Sequence, residues 1–139
     1  MAKIAFAPDV FTWPDDAPQL IASKCPACSA ITFPQQIGCP RCGSVGMERH
    51  LLARHGTLWT FTTQEFLPKE PYAGSETAET FRPYGVGMVQ VGEEVRVEAR
   101  LTEADPAVLR IGMEMELVVV PFRVDDDGTE VMTYAFRPI

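Results

Sequence analysis

The sequence is short of positive charge, of histidine and of long apolar runs, and each shortage removes a class of function. Twelve lysines and arginines face nineteen aspartates and glutamates, for a formal net charge of −7. A surface of that sign repels phosphate backbones, so nucleic acid is not an expected partner. Apolar runs such as Leu117 to Val120 fall far short of the roughly 20 residues that span a bilayer as a helix, so no membrane partner is expected. Pro8 and Asp9 stand where a secretory leader would need its apolar stretch, which makes the cytoplasm the expected location. No Gly-rich phosphate loop and no nucleophile elbow can be read. His50 and His55 stand at no diagnostic ligand spacing and read as solvated or hydrogen-bonded structural residues. The chain is therefore not expected to be an enzyme on its own.

What the 139 residues do carry is turns and four cysteines. Pro8, Pro14 and Pro18 exclude a long helix from residues 1–24, because proline costs a helix a hydrogen bond. Gln19 to Ser23 is expected as a short strand or a turn of helix leading into the cysteine region. Residues 25–46 hold all four cysteines among Pro26, Pro34, Gly38, Pro40, Gly43 and Gly46, a composition with too little apolar material for its own core. Something other than hydrophobic burial must hold it.

Cys25-Pro26-Ala27-Cys28 and Cys39-Pro40-Arg41-Cys42 supply that something. Two residues between cysteines let both thiolates of a knuckle face one point about 2.3 Å from a metal, and two knuckles close a tetrahedron. Cys25, Cys28, Cys39 and Cys42 are thus the expected ligands of a structural Zn²⁺, with no position left for water or substrate. A reducing compartment disfavours disulfides between them. Iron uses the same sulfurs and is the less favoured alternative. Phe33 and Pro34, in the loop between the knuckles, are expected to cover one side of the metal.

From Leu51 onward the texture changes to short runs of β-branched and aromatic residues separated by Gly, Pro and acidic clusters, the signature of strands and turns. Five strands are expected, near Thr57–Phe66, Tyr84–Val91, Val95–Leu101, Met115–Phe122 and Glu130–Phe136. In the first, strict alternation puts Trp59, Phe61 and Thr63 on one face. The third alternates Val95, Val97, Ala99 and Leu101 with Arg96, Glu98 and Arg100, as a strand with one dry face should. The fourth is nearly all apolar and is expected to be buried on both faces. Asp126-Asp127-Gly128 makes the last turn. The expected fold is mostly β: an arm over residues 1–24, a rubredoxin-like zinc ribbon over 25–50, and a five-stranded OB-fold barrel over 51–139. The long connection Leu67 to Pro83 is expected to be functional or mobile.

This order of elements resembles a bacterial and archaeal family in which a rubredoxin-like zinc ribbon is fused to an OB-fold beside thiolases. Besides the cysteines, the resemblance rests on Phe33-Pro34, on Gly56-Thr57-Leu58-Trp59-Thr60-Phe61-Thr62, on Pro83-Tyr84-Gly85-Val86-Gly87 and on Ile111-Gly112-Met113. The family tends to place Gly after each second cysteine. Gly43 conforms and Ser29 does not, so the first knuckle is expected to be slightly strained.

The resemblance implies a non-catalytic subunit that binds a thiolase-like acyltransferase or aldolase and helps form its acyl-CoA channel, as in steroid side-chain or other CoA-thioester metabolism. Trp59, Phe61, Phe81, Arg82 and Tyr84 are the candidates for the surface that meets the partner or the channel. Two alternatives remain at this stage. One is a single-stranded nucleic-acid-binding OB-fold stacking bases on Trp59, Phe61 and Tyr84. The other is an electron carrier with an iron-loaded ribbon.

Overall fold

The computed structural model describes residues 2–93 and 95–139, and among them there is no helix. Nine strands form among the described residues: β1 (Lys3–Ala5), β2 (Ile21–Lys24), β3 (Ile31–Thr32), β4 (Glu48–Leu51), β5 (His55–Gln64), β6 (Tyr84–Val91), β7 (Val95–Leu101), β8 (Glu114–Val124) and β9 (Glu130–Pro138). Of the segment Gln19 to Ser23, expected as strand or helical turn, Ile21 to Ser23 form strand and Leu20 an isolated bridge to Phe11, and β2 is the centre of a three-stranded antiparallel sheet between β3 and β4.

The five strands from β5 onward close on themselves. β5, β6 and β7 run antiparallel as a meander. β7 then lies parallel to the end of β9, β9 pairs antiparallel with β8, and β8 returns to β5. This is the Greek-key closure of an OB barrel. β7 meets β9 only at Ala135 and Phe136, while β1 pairs in parallel with Glu130 to Met132. The N-terminal arm therefore covers the stretch of β9 that β7 leaves open, and an otherwise bare edge is paired.

The barrel interior follows from alternation. Gly85, Gly87, Val89 and Val91 of β6 point in, as do Val97, Ala99 and Leu101 of β7. A Cβ on Gly87 would stand 2.9 Å from Leu58 Cδ1 and 3.1 Å from the Thr60 carbonyl oxygen, so glycine is required where β5 and β6 pack this closely. Phe11, Leu20, Ala22 and Leu52 join Leu58, Val89, Leu117 and Phe136 in a single buried cluster. Arm, ribbon sheet and barrel share this core.

Two expectations fail for identifiable reasons. The register of β5 shifts between Leu58 and Thr60, opposite Val89 and Met88. Trp59 is the extra residue of a β-bulge, which breaks the alternation. Phe61, opposite Gly87, faces the core side, while Trp59 stays 51% exposed, so the two do not share a face. β8 is not buried on both faces either: Met115 and Leu117 point into the barrel, whereas Val118 and Val120 are half-buried and Pro121 is exposed. A closed barrel has one interior, and an apolar run cannot fill two. Pro121 stands opposite Met132 beside a second register shift, and bulges are among the few places where a sheet accepts proline.

Candidate metal centre and groove

The two knuckles are built alike. Ser29 N–H donates to the Cys25 carbonyl at 2.9 Å and Gly43 N–H to the Cys39 carbonyl at 2.9 Å. Cys25 N–H donates to Ala30 and Cys39 N–H to Ser44. Both turns need a left-handed residue after the second cysteine, and φ is +64° at Ser29 and +77° at Gly43. The strain read from the sequence is thus real: a side chain occupies the first position where glycine would be free.

These turns bring Cys25, Cys28, Cys39 and Cys42 together with their sulfurs within 4.8 Å of one another. Cys25 Sγ lies 3.6 Å from Cys42 Sγ, and Cys28 Sγ lies 3.6 Å from Cys39 Sγ. Sulfurs at the corners of a tetrahedron 2.3 Å from its centre stand about 3.8 Å apart, so the cage fits a tetrahedral ion. No disulfide forms. The electrostatics agree. The Ala30 N–H favours the Cys28 thiolate, yet burial and the neighbouring cysteines outweigh it and push that thiol up to about 11. The hydroxyl and N–H of Ser44 draw Cys42 down to about 6, and the Cys42 N–H draws Cys39 down. Four thiolates this close repel one another, so a fully ionised cage needs a cation at its centre. Within residues 25–46, Cys25 and Cys39 are the only apolar side chains buried outright, which is why the metal must do the work of a core.

Phe33, in the loop between the knuckles, packs at right angles against Tyr134 of β9, 5.7 Å between ring centroids. It joins ribbon to barrel. Beside that contact a groove of about 630 Å³ runs along the outer face of β6 and β7, walled by Phe6, Phe33, Tyr84, Met88, Phe122 and Tyr134. In OB folds this face of the second and third barrel strands is the usual ligand surface.

Of the sequence candidates, Tyr84 lines this groove. Phe81 packs on it edge-on at 6.1 Å, and Arg82 is exposed with its guanidinium on the Phe81 carbonyl at 3.0 Å. Trp59 is outside the groove lining, under the Arg96 guanidinium at 3.8 Å, and Phe61 packs against the core. His55 stands 3.5 Å from Glu116, consistent with a structural role. The sequence reading missed Arg96, Arg100, Phe122 and Tyr134. Alternation marked both arginines as outward-facing, but which rings flank them depends on pairings to β5, β6 and β8 that no local pattern encodes.

A four-cysteine ribbon set on a five-stranded barrel defines the class: a metal-ribbon and OB-fold protein. Two family descriptions match in that order, the ChsH2 rubredoxin-like zinc ribbon domain over residues 12–48 and the ChsH2 C-terminal OB-fold domain over residues 50–120. The chain belongs to this family. It is 34% identical over 122 residues to a DUF35 domain-containing scaffold protein of Pyrococcus furiosus, covering 87% of this chain and 84% of that one. To the benzoylsuccinyl-CoA thiolase subunit BbsA of Thauera aromatica it is 34% identical over 136 residues, 96% of this chain and 88% of the relative. Among solved structures, the Ltp2-ChsH2(DUF35) aldolase superposes with a TM-score of 0.63 at 26% identity, covering 86% of this chain and 84% of that one.

Proposed function

We propose that this chain is a cytoplasmic, non-catalytic subunit that docks on a thiolase-like acyltransferase or aldolase and forms part of its acyl-CoA passage. The observation that carries this reading is the groove where arm, ribbon and barrel meet, with Phe6, Phe33 and Tyr134 from three separate segments along one wall. A surface assembled from the whole chain fits a family whose members are called scaffolds and thiolase subunits.

Cys25, Cys28, Cys39 and Cys42 would hold Zn²⁺, which supplies a cross-link and no chemistry, since four sulfurs leave no open position. The chain's own residues then act by placement. The ribbon, fixed to the barrel through Phe33 and Tyr134, walls one side of the groove. The aromatic lining excludes water from whatever the partner holds there, which strengthens the partner's own electrostatic interactions.

The test is co-expression with a thiolase-like acyltransferase or aldolase from the same organism, followed by size-exclusion chromatography and assay of thiolytic or aldol activity. Co-elution and an activity that depends on this chain are expected. Separate elution at micromolar concentration, with partner activity unchanged, would sink the reading.

A further inference from the structure

The open edges of β1, β3, β4, β7 and β8 are each guarded. β3 runs for two residues and β1 for three, and β4 carries Glu48, Arg49 and His50. Beyond its pairing with β5, β8 holds Pro121 and Arg123, and its Val124 N–H donates to Ser75 Oγ at 3.0 Å. Where β7 is free of β9 it bears Arg96 and Glu98, and the Tyr134 hydroxyl donates to the Glu98 carbonyl. Short length, charge, proline and capping side chains are the devices that keep an edge from recruiting a strand.

β5 has an open edge with none of them. Leu58 donates to the Met113 carbonyl and accepts from the Gly112 N–H, and past it β5 pairs with β6 alone over residues 60–64. Those residues, Thr60, Phe61, Thr62, Thr63 and Gln64, include no charge and no proline. Every second one turns its N–H and C=O away from β6, and among the described residues no other backbone group answers them. An extended strand satisfies such a row. The ends of the edge are apolar: Trp59 is 51% exposed, Phe66 is 74% exposed, and Ile111, next to the Gly112 that bonds Leu58, is 69% exposed.

A second copy of the chain fits this edge by symmetry. Directly opposite side chains of an antiparallel pair share a face, and Phe61 and Thr62 point to opposite faces, so a two-fold axis must pass through a residue and not between two. With Thr62 on the axis all five bare residues pair: Thr60 with Gln64 of the second copy, Phe61 with Thr63, and Thr62 with its own counterpart. No like charges meet, although each copy carries −7. One residue further, the exposed Glu65 falls opposite Trp59, on which the Arg96 guanidinium stacks at 3.8 Å. Next, Phe66 falls beside Leu58 and so against Gly112 and Ile111. Symmetry repeats both the unlike charge pair and the apolar contact.

We propose that β5 is a dimer edge, through which two copies of this chain join antiparallel over residues 60–64 about a two-fold axis at Thr62. The sheets of the two barrels become continuous, with their outer faces on one side. A hollow of about 340 Å³ on that face, lined by Thr60, Thr62, Val86, Met88 and Glu98, continues the larger groove through Val86, Met88 and Glu98. It opens at the seam, so each copy walls the end of the other's groove. The seam concerns this chain alone and stands whichever enzyme it serves.

The experiment is sedimentation equilibrium of the metal-loaded full-length chain, wild type and substituted at the exposed Thr62. Wild type is expected at twice the chain mass at micromolar concentration. Thr62→Lys and Thr62→Glu each set two like charges face to face on the axis and are expected to weaken the dimer about tenfold or more. An equimolar mixture of the two should regain it, because Lys then faces Glu, and a misfolded variant could not be rescued this way. Phe66→Ser, at the end of the seam, should weaken it severalfold. A wild type that stays monomeric through the submillimolar range, a dimer indifferent to both charges, or a mixture that restores nothing overturns the proposal. So does a monomer whose binding to a thiolase-like enzyme is lost in Thr62→Lys, since the edge would then receive a strand of that enzyme.

Discussion

Phe33 of the metal ribbon and Tyr134 of β9 meet edge to face, with centroids 5.7 Å apart and planes at 89°. The contact is the hub of an aromatic cluster, since Phe6 and Phe11 also approach Tyr134, at 6.3 Å and 6.5 Å. Burial raises the Tyr134 phenol above its ordinary value, and its hydroxyl donates to the Glu98 carbonyl at 3.1 Å. Ribbon, arm and barrel are thereby locked on one side chain.

Phe33→Ala should loosen this lock. Half-buried aromatic truncation removes ring contacts and packing, about 1–3 kcal/mol here, less than for a fully enclosed ring. Urea unfolding should show a lower midpoint with unchanged metal content. A midpoint equal to wild type would mean that the ribbon is held by its sheet alone.

Gly87→Ala tests the barrel closure. The new methyl would meet Leu58 and Leu101 side chains and the Thr60 carbonyl oxygen, all within 3.1 Å. Side chains can shift, but the carbonyl belongs to the β5 ladder, so a loss of about 1–3 kcal/mol is expected. Thermal unfolding checks it, and an unchanged melting temperature would contradict the close approach.

The contrast between these sites marks what a sequence can disclose. Alternation in Val95 to Leu101 and the spacing of Cys25, Cys28, Cys39 and Cys42 are local, so strand, face and metal cage could all be read directly. Trp59 and Phe61 were misplaced because a bulge is a property of two strands, and β5 shows its extra residue only against Val89 and Met88. The groove stayed hidden for the same reason. Its residues come from the arm, the ribbon loop, β6, β7, β8 and β9, and only tertiary closure makes them neighbours.

Ser29→Gly should stabilise the first knuckle. A non-glycine residue at φ +64° carries a steric penalty of about 1–2 kcal/mol, part of which glycine returns as extra backbone entropy in the unfolded chain. The net gain expected is up to about 1 kcal/mol, seen as slower metal loss to a chromogenic chelator. Gly43→Ala should act oppositely, with φ +77°. If both variants release metal at the wild-type rate, the turns do not limit the cage.

Acid should weaken the seam between β8 and β9 first. Glu116 accepts from Arg137 at 2.9 Å and stands 3.5 Å from His55. The Arg137 hydrogen bond holds its carboxyl below the ordinary carboxylate value. A depressed carboxylate contributes stability that is full above its unfolded pKa of about 4.3 and is lost as pH falls through the lower folded value. Glu116→Gln should therefore flatten stability against pH below about 4.5 while changing little at neutrality. A variant with the wild-type acid profile would show that the pair is decorative.

Metal removal should dissolve the ribbon before the barrel. Residues 25–46 bury only Cys25 and Cys39 among their apolar side chains, whereas the barrel buries Leu58, Val89, Val97, Leu101, Leu117 and Phe136. A cluster that includes Leu20 and Ala22 anchors β2 to that core, so chelation should free the knuckles and leave β2 in place. Trypsin reports the difference directly. Arg41 lies between two cysteines of the second knuckle, where a metal-clamped turn cannot extend into a protease, while Arg96 and Arg100 lie in the β7 ladder. Chelated protein should be cut after Arg41 within minutes, with β7 sites intact and the strand signal in circular dichroism largely preserved. Cleavage at Arg41, Arg96 and Arg100 together would mean that ribbon and barrel unfold as one unit, and that the cage supports the whole chain.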